Sequence, residues 1–160
     1  MLGWVNLSDR EFGIVLELCS LNLEKLMDLS IVMPGQGESQ RQARDLIDSC
    51  KAKWALQIAS ALQYLHVQVP QITHGDVHLM NVMLSSEFNQ LKLDSVVYAH
   101  AILCDFDHSC IEGNRVRCLS KMELFPRFAD TTLWSGKVLV AMDWMHFGFT
   151  LLSVSFGCLF

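Results

Sequence analysis

A chain of 160 residues suits one domain with room for a real core. Hydrophobic residues make up 51% of it and the mean hydropathy is +0.29, which excludes a disordered chain. The formal net charge of −5 argues against a nucleic-acid surface.

The N-terminal stretch "MLGWVNLSDREF" has no basic start followed by a long apolar run, so it does not read as a signal peptide. "EFGIVLELCS" (11–20) is a short apolar run with Ile14 and Val15, predicted as a buried strand running into a connector. "LNLEKLMDLS" suits a short helix. "MPGQGESQRQARD" (33–45) is polar, with Pro34, Gly35 and Gly37, and predicts a loop.

The clearest periodicity comes next. Leu46, Cys50, Trp54, Ile58, Leu62 and Leu65 fall 4, 4, 4, 4 and 3 apart, one apolar stripe on a helix of about five turns. Lys51, Lys53, Arg41 and Arg44 are expected on its solvated face. Pro70 ends that helix. "HGDVHLMNVML" (74–84) then sets two histidines, an aspartate and an asparagine within eight positions. Two chemistries fit it. His74, Asp76 and His78 could ligate a metal, or Asp76 and Asn81 could serve as acid/base and magnesium ligand in a phosphoryl-transfer loop.

Val82–Leu84 predicts a short strand, and 91–105 one or two more, with Val96, Val97, Ile102 and Leu103 as the β-branched and apolar content. "LCDFDHS" (103–109) places Asp105 and Asp107 at the end of an apolar strand, a common setting for cation-holding carboxylates. Residues 108–132 predict a long irregular loop. "VLVAMDWMHFGFTLLSVSFGCLF" (138–160) is long enough for a bilayer. Asp143 within it would cost about 2.5–3.5 kcal/mol at a span's centre and less near an end. A helix apolar all round also suits the middle of a domain, and a buried core helix is the reading taken. The six cysteines (19, 50, 104, 110, 118 and 158) form no CxxC pair and read as reduced, inert or buried thiols of an intracellular, cytoplasmic protein.

Taken together these segments resemble the C-terminal lobe of a protein kinase with the hinge strand before it. "IVLELCS" resembles the strand-to-hinge segment, and "KWALQIASALQYLH" the helix before the catalytic loop. "HGDVHLMN" matches H-R-D-x-K-x-x-N at His74, Asp76 and Asn81, and "CDFD" matches D-F-G at Asp105 and Phe106. "AMDWMHFGFTLL" resembles the D-V-W-S-F-G-V-L-L helix, with Asp143, Phe147 and Gly148 in register. The resemblance spans nearly the whole chain. It implies one partial α+β domain over 1–160, of protein kinase-like fold, with a mostly helical C-lobe, short β-hairpins and the N-lobe largely missing. Its parts would be a hinge strand at about 11–20, a helix at 45–66, a catalytic loop at 74–81, a metal-binding turn at 105–107, an activation segment at about 108–137 and a buried helix at about 138–156.

The implied activity is ATP- and Mg2+-dependent phosphoryl transfer to a protein hydroxyl, Ser/Thr in preference to Tyr. Asp76 would accept or orient the hydroxyl proton, with His78 as a second catalytic candidate in the usual place of a phosphate-supporting Lys. Asn81 and Asp105 would hold magnesium through hard oxygen atoms. Met83 would floor the adenine site, and Glu17 and Cys19 would offer it backbone groups. His74 and Phe106 would be packing elements. Asp143 would accept hydrogen bonds from the catalytic-loop backbone.

Several positions depart from the pattern. Gly75 replaces the Arg that pairs with an activation-loop phosphate. H-G-D-x-H-x-x-N also resembles aminoglycoside and choline kinases. Asp107 replaces the Gly of D-F-G, and "TTLWSGKVL" stands where A-P-E is expected. The sequence carries no Gly-rich loop, V-A-I-K strand or αC glutamate, so this chain alone is expected to be inactive. Apolar surface should be exposed where the missing parts would dock, open to a partner. Two alternatives stand beside an active kinase: a pseudokinase acting as a binding module, and a metal hydrolase using His74, Asp76, His78, Asp105 and His108. The blandest account of Asp76 and Asn81 is a turn whose side chains cap backbone groups.

Overall fold

The computed structural model describes residues 3–8, 11–32, 38–85, 87, 93–111 and 140–156. It is a mixed α and β chain, richer in helix than in strand. The elements in order are β1 (Gly3–Ser8), β2 (Glu11–Val15), β3 (Cys19–Asn22), α1 (Leu23–Val32), α2 (Glu38–His66), β4 (Ile72–Thr73), β5 (Val82–Ser85), β6 (Ala101–Leu103), β7 (Cys110–Ile111) and α3 (Val140–Phe156). Short 3-10 helices cover Leu79–Asn81 and Leu93–Val97. The strands form three small antiparallel sheets: β1–β2, β3–β5–β6 and β4–β7.

The predicted stripe on α2 is the spine of the core. Cys50, Trp54, Ile58 and Leu62 are buried, and Leu46 and Leu65 pack partly buried at its ends. They meet Leu23, Leu26 and Met27 of α1, Val82 and Leu84 of β5, and Val96, Ala99 and Leu103 beyond it. Each large apolar side chain taken fully out of water contributes about 1.5–3 kcal/mol as an upper bound.

Several expectations are corrected. The helix begins at Glu38, so 38–45 is helical where a loop was expected; Glu, Gln, Arg and Ala are good helix formers even on a solvated face. Residues 33–37 lie outside the described residues. Val96 and Val97 belong to a 3-10 helix and not to a strand, because Val96 is drawn against α2, where its carbonyl meets the Cys50 thiol at 3.7 Å. Lys53 does not lie on a solvated face: its Nζ donates to the carbonyls of Val97 at 3.0 Å and Ala99 at 2.8 Å, closing the end of that turn. The 91–105 region supplies one described strand, β6.

The strand expected at 11–20 exists as β2, but it is exposed. It pairs with β1, a strand not expected from the sequence, and the hairpin joins no other sheet among the described residues. Trp4 is 67% exposed, Phe12 69% and Ile14 57%. Residues 19–22, expected partly as connector, form β3.

α3 confirms the predicted helix but not burial all round. Met142, Asp143, Phe147, Thr150 and Val154 form its buried face, while Trp144 and Leu152 are exposed. Among the described residues no helix is long and apolar enough to cross a membrane. Cys50 is buried, whereas Cys19, Cys104 and Cys110 are only partly so, and all four are free thiols. Cys118, Cys158, "TTLWSGKVL" and the expected activation segment beyond Ile111 lie outside the described residues.

Candidate functional site

The site is built on the loop between β4 and β5. α2 ends at His66, and the chain turns through Pro70 into β4, which pairs with β7 at Ile72↔Ile111 and Thr73↔Cys110. That pairing lays 104–111 along the loop. Ser109 Oγ donates to the His74 carbonyl at 3.1 Å, and Thr73 Oγ1 to the Cys110 carbonyl at 3.2 Å.

Asp143 anchors the loop from α3. Its side chain is fully buried. Oδ2 accepts the His74 backbone N–H at 2.8 Å, and Oδ1 accepts that of Gly75 at 2.8 Å. His66 Nε2 lies 2.8 Å from the same Oδ2. A buried carboxylate requires such donors, because burial without them costs several kcal/mol. Thr150 Oγ1, two turns along α3, lies 3.2 Å from the Val77 carbonyl and 2.9 Å from the His146 carbonyl of its own helix, and its one proton is shared between them. The buried face of α3 therefore holds the loop on both sides of Asp76.

His74 is buried and packs on Phe106, ring centroids 4.8 Å apart. Its Nε2 lies 3.0 Å from the Cys104 carbonyl, and its Nδ1 accepts the Asp76 backbone N–H at 3.3 Å. That pair of contacts assigns the proton to Nε2. Burial pushes the His74 pKa below the usual histidine range, against the upward pull of the Cys104 carbonyl and of Asp143, Asp76 and Asp105. His74 is a neutral packing histidine.

Gly75 adopts a φ of +83°, and a Cβ there would lie 2.5 Å from the His108 carbonyl oxygen. Both the backbone conformation and the space call for glycine. An Arg at this position would have to displace residue 108.

Asp76 is partly buried, and its Oδ2 is approached by two side chains. Asn81 Nδ2 donates to it at 3.0 Å and to the Asp76 carbonyl at 2.9 Å. His78 Nε2 lies 3.3 Å away. Asn81 sits on the 3-10 helix just before β5, and its own carbonyl accepts the Cys104 backbone N–H at 2.9 Å and the thiol at 3.2 Å. Cys104 follows β6, whose Leu103 pairs with Val82. Asp105 is the next residue along the chain. Its φ of +64° turns the chain sharply, and it is exposed. Burial raises the Cys104 thiol pKa, with Asp105 and Cys19 adding in the same direction.

Of the remaining expected residues, Cys19 and Met83 share the β3–β5–β6 sheet, and Glu17 lies in the connector before it. β3 runs beside β5 with Cys19↔Ser85 and Asn22↔Met83. Cys19 and Met83 are thus on neighbouring strands, and Glu17, exposed, lies two residues before Cys19, whose thiol is 3.8 Å from its carbonyl. The structure joins Asp76, His78 and Asn81 by hydrogen bonds and sets Cys19 and Met83 on neighbouring strands, while Asp105 and Glu17 are exposed residues beyond Cys104 and before Cys19.

The fit to magnesium rests on Asn81. Both its amide donations go to Asp76, which leaves Oδ1, the atom a hard cation prefers, for other use. Asp105, one residue past Cys104, is the other oxygen ligand expected from the sequence. Among the described residues no group of three or more His, Cys, Asp or Glu side chains is placed to hold a metal. The dinuclear grouping of His74, Asp76, His78, Asp105 and His108 is not assembled.

Sequence reasoning passed over His66 and His146. His66 lies four residues after Leu62, so the buried stripe continued by one more step lands on it; a polar residue on a buried stripe needs a partner. Its Nδ1 is a buried atom without a hydrogen bond among the described residues. His146, on α3 one turn after Asp143, has its pKa lowered chiefly by burial, with Asp143 and Asp76 opposing and His78 and His74 adding. The sequence matches no protein-family model and no curated protein.

Proposed function

We propose that the chain is the helix-rich part of a protein kinase-like phosphotransferase, using ATP and Mg2+ and acting on a protein hydroxyl, Ser/Thr before Tyr. The observation that carries this is one convergence. Asp143 fixes the backbone at His74 and Gly75, Asn81 fixes the Asp76 side chain, and the Asn81–Cys104 contact ties the segment that begins at Cys104 to the same loop. Phosphoryl transfer asks mainly for such positioning and for charge neutralisation.

In this reading Asp76 orients the attacking hydroxyl and takes its proton. Asn81 Oδ1 and Asp105 would hold magnesium, which when bound neutralises phosphate charge. The backbone at Glu17 and Cys19 would meet the adenine edge, with Met83 beneath the ring. His74 and Phe106 keep the two loops in register. The free thiols agree with a cytoplasmic location.

Gly75 favours a second reading. Its positive φ and the absent space for a Cβ make the H-G-D-x-H-x-x-N form a built feature of this loop, and that form resembles small-molecule kinases of the aminoglycoside and choline type. A pseudokinase that binds nucleotide or a partner without transfer is the remaining alternative, and the exposed β1–β2 hairpin is its support.

Calorimetry with ATP, with and without magnesium, tests the main reading. Magnesium-dependent binding should be lost in Asp105→Asn and kept in Asp76→Asn. Any transfer to protein or small-molecule acceptors should fall by about 10²–10⁴-fold in Asp76→Asn, as expected for loss of general acid–base catalysis. Equal single-turnover rates for Asp76→Asn and wild type would reject the role of Asp76. Binding without transfer to any acceptor would select the binding-module alternative.

A further inference from the structure

We propose that His78 is a positioning residue for Asp76, holding its carboxylate through an imidazole N–H, and not a contact to phosphate. This rests on the phosphotransferase reading above. The backbone of His78 is extended, with φ −155° and ψ 171°. His78 also occupies the N-cap of the Leu79–Asn81 helix, yet its side chain makes no capping bond there. Its Nε2 lies instead 3.3 Å from Asp76 Oδ2.

Asn81 reaches the same oxygen at 3.0 Å from the other end of that single turn. Two donors on Oδ2, one before the turn and one at its end, restrict rotation of the carboxylate about its own axis. The His78 contact is the longer and the more exposed of the two: His78 is 35% exposed and Asp76 14%. It trims the orientation that Asn81 sets. An imidazole held this way has its Nε2 committed to Asp76. A base kept in a reactive orientation accelerates the chemical step without changing nucleotide affinity.

The test uses His78→Ala, His78→Gln and His78→Lys with two measurements. In steady-state kinetics of a form of the protein that transfers phosphate, His78→Ala should lower kcat roughly ten- to hundred-fold with KM for ATP unchanged. His78→Gln, whose amide N–H reaches about as far as Nε2–H, should recover most of that loss. A raised KM in His78→Ala that Lys restores and Gln does not would overturn the proposal in favour of a phosphate contact. Separately, the imidazole ¹⁵N signals of His78 should show Nε2 protonated and should move in Asp76→Ala. Unchanged signals would overturn the proposal whether or not the protein binds ATP. Signals that move in a protein showing no magnesium–ATP binding would keep the contact, reject the phosphotransferase reading, and reject the positioning role with it.

Discussion

The β1–β2 hairpin and the 72–81 loop invert the usual relation between hydrophobicity and burial. The hairpin carries Trp4, Phe12 and Ile14 on one face and Val5, Leu7 and Val15 on the other, yet packs against little but itself. The loop carries three polar side chains in five residues, yet His74 is wholly buried and Asp76 and His78 are partly so. Burial goes where polar groups find partners as well as where apolar groups accumulate. Asp143, itself held by His66, supplies those partners to the loop together with Thr150 and Ser109. Nothing described supplies a second layer to the hairpin, and an isolated two-stranded hairpin is marginal in water.

The largest expected effect comes from removing the anchor of the loop. Asp143→Ala deprives three donors of their acceptor, on His66, His74 and Gly75. At about 1–3 kcal/mol for each buried donor left unpaired, a urea melt should show the greatest loss of any single change proposed here. Asp143→Leu should behave alike. A melt unchanged in both variants would mean that the loop stands without its anchor.

Gly75→Ala should come next. The positive φ and the close His108 carbonyl force either strain or displacement of residue 108, at a cost of about 1–3 kcal/mol. The same melt measures it, and amide exchange should show 104–109 loosened while α2 keeps its protection. Equal protection in both regions would mean that the two loops are not locked together through Gly75.

The smallest effect on stability belongs to the hairpin. Trp4→Ser combined with Phe12→Ser should change unfolding free energy by no more than about 0.5 kcal/mol, as for surface positions. It should clearly reduce self-association measured by sedimentation, because an exposed apolar patch is removed. A large loss of stability would show that the hairpin is covered in solution, and would erase the contrast with the loop.

Much of this was legible in local pattern. The 46–65 stripe located the core helix because a 3.6-residue repeat needs only neighbours in the chain. The apolar run at 138–160 announced a helix, and the resemblance implied that Asp143 within it accepts hydrogen bonds from the loop backbone. Asp76, Asn81 and Asp105 were picked out by residue type and spacing, and the structure joins the first two by hydrogen bonds.

What the tertiary structure alone decided depends on contacts between distant segments. Val96 and Val97 have strand-like side chains, but Lys53, 44 residues earlier than Val97, draws them into a 3-10 turn. β2 has the composition of a buried strand, but β1 is its only sheet partner among the described residues. His66 meets Asp143 across 77 residues. His78 and Asp76 are near neighbours in sequence, yet that the imidazole turns to the Asp76 carboxylate and makes no capping bond to its own helix is a choice no residue type dictates. Periodicity and propensity act within a few residues of chain. The partner of a buried donor is chosen by the packing of the whole, and so the elements could be read from the amino acids while their polar connections could not.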